Sequence, residues 1–512
     1  MFSVFLYGLL VLTVTCDSAR ILVVIPTPSI SHQVVFRPFT LELAKRGHEV
    51  VVITTDPMFS KRKAPANYTE IDVHDISYDI WKKFVVTSTS NADLLEQVKI
   101  GFKLMEIIFE NQLQTSEVQQ ILNNKDEKFD LLILESWVTS NLAFTHIYKV
   151  PTIQFSTLGP HVGVCDIFGA ASHPSLYPLP THRKIQNLSI LEKVQEFYLS
   201  YAIKTVFQES VASSSQTLKK IFGPDFPTLK ELMKNVDMIF LNSHPMWDFN
   251  RPVPPNVIYL GGLHQSPPKK LPQELKSYLD SSSNGVIYMS LGTNVKPSIL
   301  PRKTIEVFLK VFADLPYNVL WKWDQDELKG KPHNVNISKW FPQSDLLHHP
   351  NVKLFITQGG LQSTDESITA GVPLVGIPML ADQWYNVELY LQHKIGVKLD
   401  ITTLTKEDLM NAIKTVLKDD SYRTNIAKLG TLMRDQPQTS LERAIWWTEY
   451  VLRHGGAKHL RSPAANISWA EYLELELVAV VLATLLALIV ILVMVIKLIW
   501  KLLVSSPRLK DD

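Results

Sequence analysis

The sequence predicts an α/β protein made of two parallel-sheet halves in series, followed by one C-terminal transmembrane helix. Three observations carry this. First, "RILVVIP" and "HEVVVITT" flank the amphipathic run "QVVFRPFTLELAKRG". That is a strand–helix–strand unit, and its strands are apolar throughout, as strands covered on both faces are. Second, the alternation restarts near Gly285 with "GVIYMSLGT" and continues through "NVLWKW", "VKLFIT" and "VPLVGIP". Third, Leu477 to Ile496 carries no charge, and about 20 helical residues cross a hydrocarbon core of about 30 Å.

The 512 residues leave room for two or three domains, and 46% hydrophobic residues allow a large core. A net charge of +1 argues against a nucleic-acid partner, because such domains carry a strong basic excess. Residues 1–19 open with "MFSVFLYGLLVLTVTCDS". This stretch is too short to span comfortably and ends in small residues, so it reads as a signal peptide cleaved near Ser18 or Ala19. Residues 20–260 form the first half, where "FDLLILE" and "VPTIQF" add buried strands. Residues 261–283 begin "GGLHQSPPKKLP", rich in Gly and Pro, and read as a linker. Residues 284–472 form the second half with a returning helix, and 473–500 the membrane region. Trp469, Tyr472 and Trp500 suit the two bilayer interfaces. Lys497, Lys501, Arg508 and Lys510 place the tail 501–512 in the cytosol.

A type I membrane protein with its mass on the lumenal side follows. Asn67, Asn187, Asn336 and Asn466 each head a glycosylation triplet on that side. Of the two cysteines, Cys16 lies in the signal segment, which leaves Cys165 without an intrachain partner. "RLKDD" at the end has basic spacings resembling a retrieval signal of the endoplasmic reticulum.

The stretch "FITQGGLQSTDE", Phe355 to Glu366, carries the first chemical signal. A buried strand runs straight into two glycines and then into helix-starting residues. Glycines there let the backbone approach a ligand. The free N–H groups of the new helix then favour an anion such as phosphate. Ligands of doubly wound sheets bind at strand carboxyl ends and between domains. His32, Glu135, Ser290 to Asn294 and Gln358 to Gly360 all fall at predicted strand ends.

Trp340 to Gln383, "WFPQSDLLHHPNVKLFITQGGLQSTDESITAGVPLVGIPMLADQ", resembles the signature of the UDP-glycosyltransferases. The whole chain is similar to the membrane-bound UDP-glucuronosyltransferase-like branch in its insect-type form, including "SLGT" and "DQPQTSLERAIWWTEYVLRHGGAKHLR". The resemblance implies two facing Rossmann-like domains of GT-B type, the first binding the acceptor and the second the UDP-sugar. It implies that Trp340 stacks on uracil, Gln343 contacts the nucleoside and Glu366 holds the ribose hydroxyls. The diphosphate would lie between Ser290 and Thr293 of "SLGT" and the Gln358, Gly359, Gly360 and Ser363 turn. Asp382 and Gln383 would bind the sugar. His32 would be the general base of an inverting transfer and Glu135 would orient it, with Asp130 as the other candidate.

Two positions depart from the family pattern: Gln358 stands where many relatives have His, and Glu135 where many have Asp. The donor is expected to be UDP-glucose, with UDP-glucuronate the alternative. The acceptor is expected to be a small lipophilic hydroxyl compound, conjugated in detoxification or in hormone or metabolite turnover. No metal and no separate cofactor are expected, since the sequence shows no acidic or His cluster with ligand spacing. His348 and His349 read as structural. A homo- or hetero-oligomer is among the expected partners, with the oligomeric state left open by the sequence. One competing reading is a catalytically weak partner of active relatives that binds UDP-sugar or lipophiles. A Rossmann oxidoreductase would need GxGxxG after an early strand, and "PTPSISH" has no glycine.

Overall fold

The computed structural model describes residues 18–59, 64–87, 94–124 and 126–504. The expected signal segment up to residue 17 with Cys16, and Arg508 and Lys510 of the tail, lie outside the described residues, as do the side chains of Cys165 and Trp469. The first half is a seven-stranded sheet in the order β3-β2-β1-β4-β5-β6-β7. Its strands are β1 (Arg20–Ile25), β2 (Glu49–Thr54), β3 (Tyr68–Asp72), β4 (Leu131–Glu135), β5 (Thr152–Ser156), β6 (Met238–Leu241) and β7 (Val257–Tyr259). The second sheet has the order β10-β9-β8-β11-β12-β13. It contains β8 (Val286–Ser290), β9 (Asn318–Lys322), β10 (Val335–Ser338), β11 (Val352–Thr357), β12 (Leu374–Gly376) and β13 (Gly396–Lys398). Every neighbouring pair is parallel.

The apolar strands are covered on both faces. Leu22 and Val24 of β1 join one core, and Ile21, Val23 and Ile25 join the other. Val286 and Tyr288 of β8 likewise face opposite Ile287 and Met289. Unbroken apolar runs therefore give buried parallel strands, because both pleat faces need apolar side chains. Each sheet reverses its winding once, between β1 and β4 and between β8 and β11. Loops leaving these strands diverge and open a crevice at their carboxyl ends.

The second part of the expected linker is folded. Gln273–Ser281 is a helix, and Leu279 is wholly buried in the core below β8. Near the C-terminus the helix Ser440–His454 starts on a Thr439–Glu442 capping box. It crosses back to the first sheet, where Ala444, Ile445 and Val451 share a core with β1. Burying an Ile or Val side chain stabilises by about 1.5–3 kcal/mol, so this return strap holds the two halves together. The helix Leu475–Val504 is long and apolar enough to cross a membrane, and none of it is buried in the protein.

Candidate functional site

At the end of β1 the chain turns through Pro26–Ser29 into the helix Ile30–Lys45. His32, in its first turn, meets Glu135, the last residue of β4. His32 Nδ1 lies 2.5 Å from Glu135 Oε1. Glu135 is fully buried, and its Oε2 accepts the Thr27 N–H at 3.2 Å. A carboxylate at Nδ1 puts the ring proton there and leaves Nε2 with a lone pair, the form a base requires. Thr157, just after β5, brings Oγ1 to 2.9 Å from the same Nδ1. Glu135 thus reaches the ring despite replacing the shorter Asp. Asp130 does not, since it sits before β4 and accepts the Arg20 N–H at 2.7 Å.

In the second half, Thr357 of β11 is in register with Ser290 of β8, so "SLGT" and "TQGG" emerge side by side. Gly292 has φ of +76°, and a Cβ there would collide with the Gln358 amide. Gly359 has φ of +89°, and its Cβ would meet Val387 Cγ2 at 2.5 Å. Only glycine fits these two loops this close together. The helix Leu361–Ala370 begins at Gly360, and the N–H groups of its first turn have no intrahelical acceptor.

On that helix, Ser363 and Glu366 converge with Gln343. Gln343 Nε2 donates to Ser363 Oγ at 2.9 Å and to Glu366 Oε2 at 2.7 Å. Tyr288 completes the cluster by donating to Gln343 Oε1 at 3.1 Å. Burial pushes the Glu366 carboxyl up to about 7, with the Gln343 bond opposing it and Asp345 adding to it. Trp340 is 62% exposed and presents a flat indole. Lys322 Nζ sits 4.4 Å from its ring centre and donates to the Gly292 carbonyl at 3.0 Å. Burial lowers this ammonium to about 8. Thr293 is exposed beside it.

Asp382 sits just before the helix Gln383–Gln392, and its carboxylate accepts from Asn386 Nδ2 at 2.7 Å. Burial raises its carboxyl to about 6, countered by that bond and, more weakly, by His32. Gln383 Oε1 is taken by the N–H groups of Met379 and Leu380, both at 2.8 Å.

The two halves touch through these same loops. Ser29 Oγ donates to Asn294 Oδ1 at 3.2 Å, and Gln362 Nε2 to the Thr157 carbonyl at 3.1 Å. Trp247 Nε1 donates to Asn386 Oδ1 at 2.9 Å. Between them lies a narrow cleft, lined among others by Leu158, Trp247, Leu361 and Asp382.

Thr157, Gln362, Lys322 and Trp247 were not singled out in the sequence. Thr157 could have been found, because it follows "VPTIQF" at a strand carboxyl end. Gln362 could have been found from its place in the first helical turn. Nothing local marks Trp247. His348 and His349 bond locally, to the Ser344 carbonyl at 2.7 Å and to Asp280 at 3.2 Å. Of the glycosylation triplets, Asn187 and Asn336 are exposed. Asn67 Nδ2 donates to the Ala44 and His48 carbonyls at 2.7 and 2.8 Å, and Asn466 Nδ2 to the Ile167 carbonyl at 3.3 Å.

Two doubly wound sheets whose carboxyl ends face each other across a polar cleft define a glycosyltransferase fold of the GT-B type. Solved structures agree. A UDP-glucose:anthocyanidin 3-O-glucosyltransferase in complex with UDP matches with TM-score 0.58 and 16% identity, over 86% of this chain and 99% of that one. A Polygonum tinctorium UDP-glucosyltransferase capable of glucosylating indoxyl matches with TM-score 0.58 over 85% and 99%. The model for the family "UDP-glucoronosyl and UDP-glucosyl transferase" matches residues 19–508, and the chain belongs to that family. It is 35% identical to the ecdysteroid UDP-glucosyltransferase of Spodoptera littoralis nuclear polyhedrosis virus, over 91% of this chain and 94% of the relative. It is 32% identical to UDP-glucosyltransferase 2 of Dactylopius coccus, over 93% and 92%. Its identity to human UDP-glucuronosyltransferase 2B17 is 30%, with 88% of each chain covered. The protein is a UDP-glycosyltransferase enzyme.

Proposed function

We propose that this enzyme transfers glucose from UDP-glucose, with inversion, to a hydroxyl of a small lipophilic acceptor. The observation that carries the proposal is the His32–Glu135 contact of 2.5 Å, set across the cleft from Asp382 and the Leu361–Ala370 helix. Trp340 supports the uracil, Glu366 and Gln343 hold the ribose, and the "SLGT" and Gln358–Ser363 turns receive the diphosphate. Asp382 and Gln383 face the sugar. The acceptor O–H gives its proton to His32 Nε2 as its oxygen attacks the anomeric carbon. The bond from that carbon to the phosphate oxygen breaks, and UDP departs with the electron pair. Glu135 stabilises the imidazolium that forms. N–H groups and the helix dipole take up the leaving-group charge, a stabilisation of about 0.3–1 kcal/mol and more where partly buried. This reading assigns no metal and no cofactor beyond the UDP-sugar.

The acceptor pocket belongs to the first half, residues 20–260, and the donor site to residues 284–472. A polyhydroxylated steroid is a fitting test acceptor, because the viral relative is named for ecdysteroids. The physiological role would be conjugation, either of foreign compounds or of hormones and metabolites. The apolar C-terminal helix and the basic residues after it suit a type I anchor in the endoplasmic reticulum with a lumenal active site. The experiment is a side-by-side assay of purified protein with UDP-glucose and UDP-glucuronate on one phenol and one ecdysteroid. Glucoside formation in excess of glucuronide is the expected result. Clearly faster glucuronide formation refutes the donor assignment, and donor binding without any product refutes transfer.

A further inference from the structure

A short strap, residues 261–265, leaves the first sheet after β7 and lies along one face of the nucleotide-binding helix Leu361–Ala370. Thr369 Oγ1 donates to Gln265 Oε1 at 2.7 Å. The backbone of Gly262 hydrogen-bonds Asp365. Gln362, Asp365, Glu366 and Thr369 are spaced three, four and seven apart, so they share that face. On the other side, Leu263 N–H donates to Asn242 Oδ1 at 3.1 Å, which fixes the strap to the first half. His264 stands in the middle. Its side chain is 5% exposed, and neither ring nitrogen makes a well-formed hydrogen bond, the nearest polar backbone being that of Gln362, which acts on the imidazole. Its Nε2 lies 3.8 Å from Glu366 Oε1. That oxygen is the one Gln343 leaves open, since Gln343 holds Oε2.

A buried polar group with no partner is rare and asks for a reason. Nε2, standing 3.8 Å from the open oxygen of a ligand-binding carboxylate, supplies one. We infer that His264 is a positioning residue of the nucleotide site: when the ribose hydroxyls of a UDP-sugar occupy Glu366, Nε2–H of His264 closes on Glu366 Oε1 and locks the carboxylate to the strap. The inference rests on the proposed reading of Glu366 as the ribose carboxylate. The movement needed is under about 1 Å to reach normal N–H···O distance. Burial holds the imidazole down at about 4, so it stays neutral and offers one N–H. Occupied ribose would thereby tighten the strap that joins the two halves, coupling donor binding to their relative setting.

The test compares wild type with His264→Phe and His264→Gln, as full-length protein in detergent. The probes are UDP and its 2′,3′-dideoxy analogue, titrated by calorimetry. His264→Phe should weaken UDP about tenfold, the loss of one hydrogen bond to a charged acceptor. His264→Gln, which keeps a donor, should stay within about threefold of wild type. For the dideoxy analogue all three proteins should bind alike. The pH dependence of UDP affinity supplies a second readout. Glu366 must be ionised to accept both hydroxyls, and Asp345, Asp365 and Tyr288 are the other titratable groups facing it. In His264→Phe the midpoint of that dependence should rise, and in His264→Gln it should return. Thermal melts identify any variant that fails to fold, and His264→Gln then carries the comparison through its pH midpoint. Wild-type UDP affinity and midpoint in folded His264→Phe overturn the inference. An equal loss for the dideoxy analogue also overturns it. Failure of wild type to bind UDP, or normal UDP binding by Glu366→Ala, instead overturns the reading of the nucleotide site.

Discussion

Replacing Glu135 by Gln tests the catalytic dyad without emptying the site. Glu135 is wholly buried, and its two oxygens meet His32 Nδ1 at 2.5 Å and the Thr27 N–H at 3.2 Å. Gln keeps the volume and can still accept from Thr27, so the loop after β1 should hold. The charge is lost, and with it a hydrogen bond to a charged group worth roughly 1.5–3 kcal/mol, or about ten- to a hundredfold in rate. A further penalty follows if the Gln amide donates to Nδ1. The ring proton then moves to Nε2, where the base should be empty, and a comparable acid-to-amide change in a serine protease triad costs about 10⁴. Turnover with a phenolic acceptor should therefore fall between about 10² and 10⁴, while the calorimetric affinity for UDP stays as it was. Glu135→Asp should fall between, because a side chain shorter by roughly 1.5 Å keeps the charge and loses the contact. Near-normal turnover in folded Glu135→Gln would refute the dyad.

Three other outcomes follow from neighbouring groups. Thr157→Val removes the second partner of His32 Nδ1; turnover should drop about tenfold with UDP affinity unchanged, and Thr157→Ser should restore it, as steady-state rates will show. The Glu366 carboxyl is raised to about 7 in the folded protein, so the empty enzyme loses stability as pH climbs from the ordinary carboxyl range through 7. Glu366→Gln removes that loss, at most roughly 3 kcal/mol. Its melting temperature should rise at pH 8 and hardly move at pH 5, while UDP binding weakens. Asn187→Gln and Asn336→Gln should each remove one endoglycosidase-sensitive glycan from the expressed protein. Asn67→Gln should change no gel mobility, because both Asn67 amide hydrogens are committed to backbone carbonyls.

The two sheets were legible because strands buried on both faces must be apolar throughout, and "RILVVI" and "VKLFIT" are. Gly359 of "TQGG" was legible because a strand running straight into glycines signals a close approach, and its positive φ leaves no substitute there. His32 and Glu135 could be placed at strand ends, yet nothing in their spacing of 103 residues says that they meet. The winding reversal between β1 and β4 is what joins them. Contacts between the halves were not legible. Trp247 to Asn386 and Gln362 to Thr157 join segments far apart in sequence, and no periodicity reports such a pairing. The helix Gln273–Ser281 was hidden by the Pro- and Lys-rich start of its segment, although "QELKSYLDS" has an amphipathic spacing.

The most direct test of base-assisted glucosyl transfer is His32→Ala, measured for UDP-glucose turnover on a phenol beside calorimetric titration with UDP. His32 belongs to the first half of the chain, on the helix Ile30–Lys45, and the proposed nucleotide groups to the second. Turnover should fall by about 10²–10⁴ or more, the usual contribution of a general base, while UDP affinity barely changes. A folded His32→Ala enzyme with near-normal turnover would contradict the mechanism, and one that lost UDP affinity as well would contradict the division of labour between the halves.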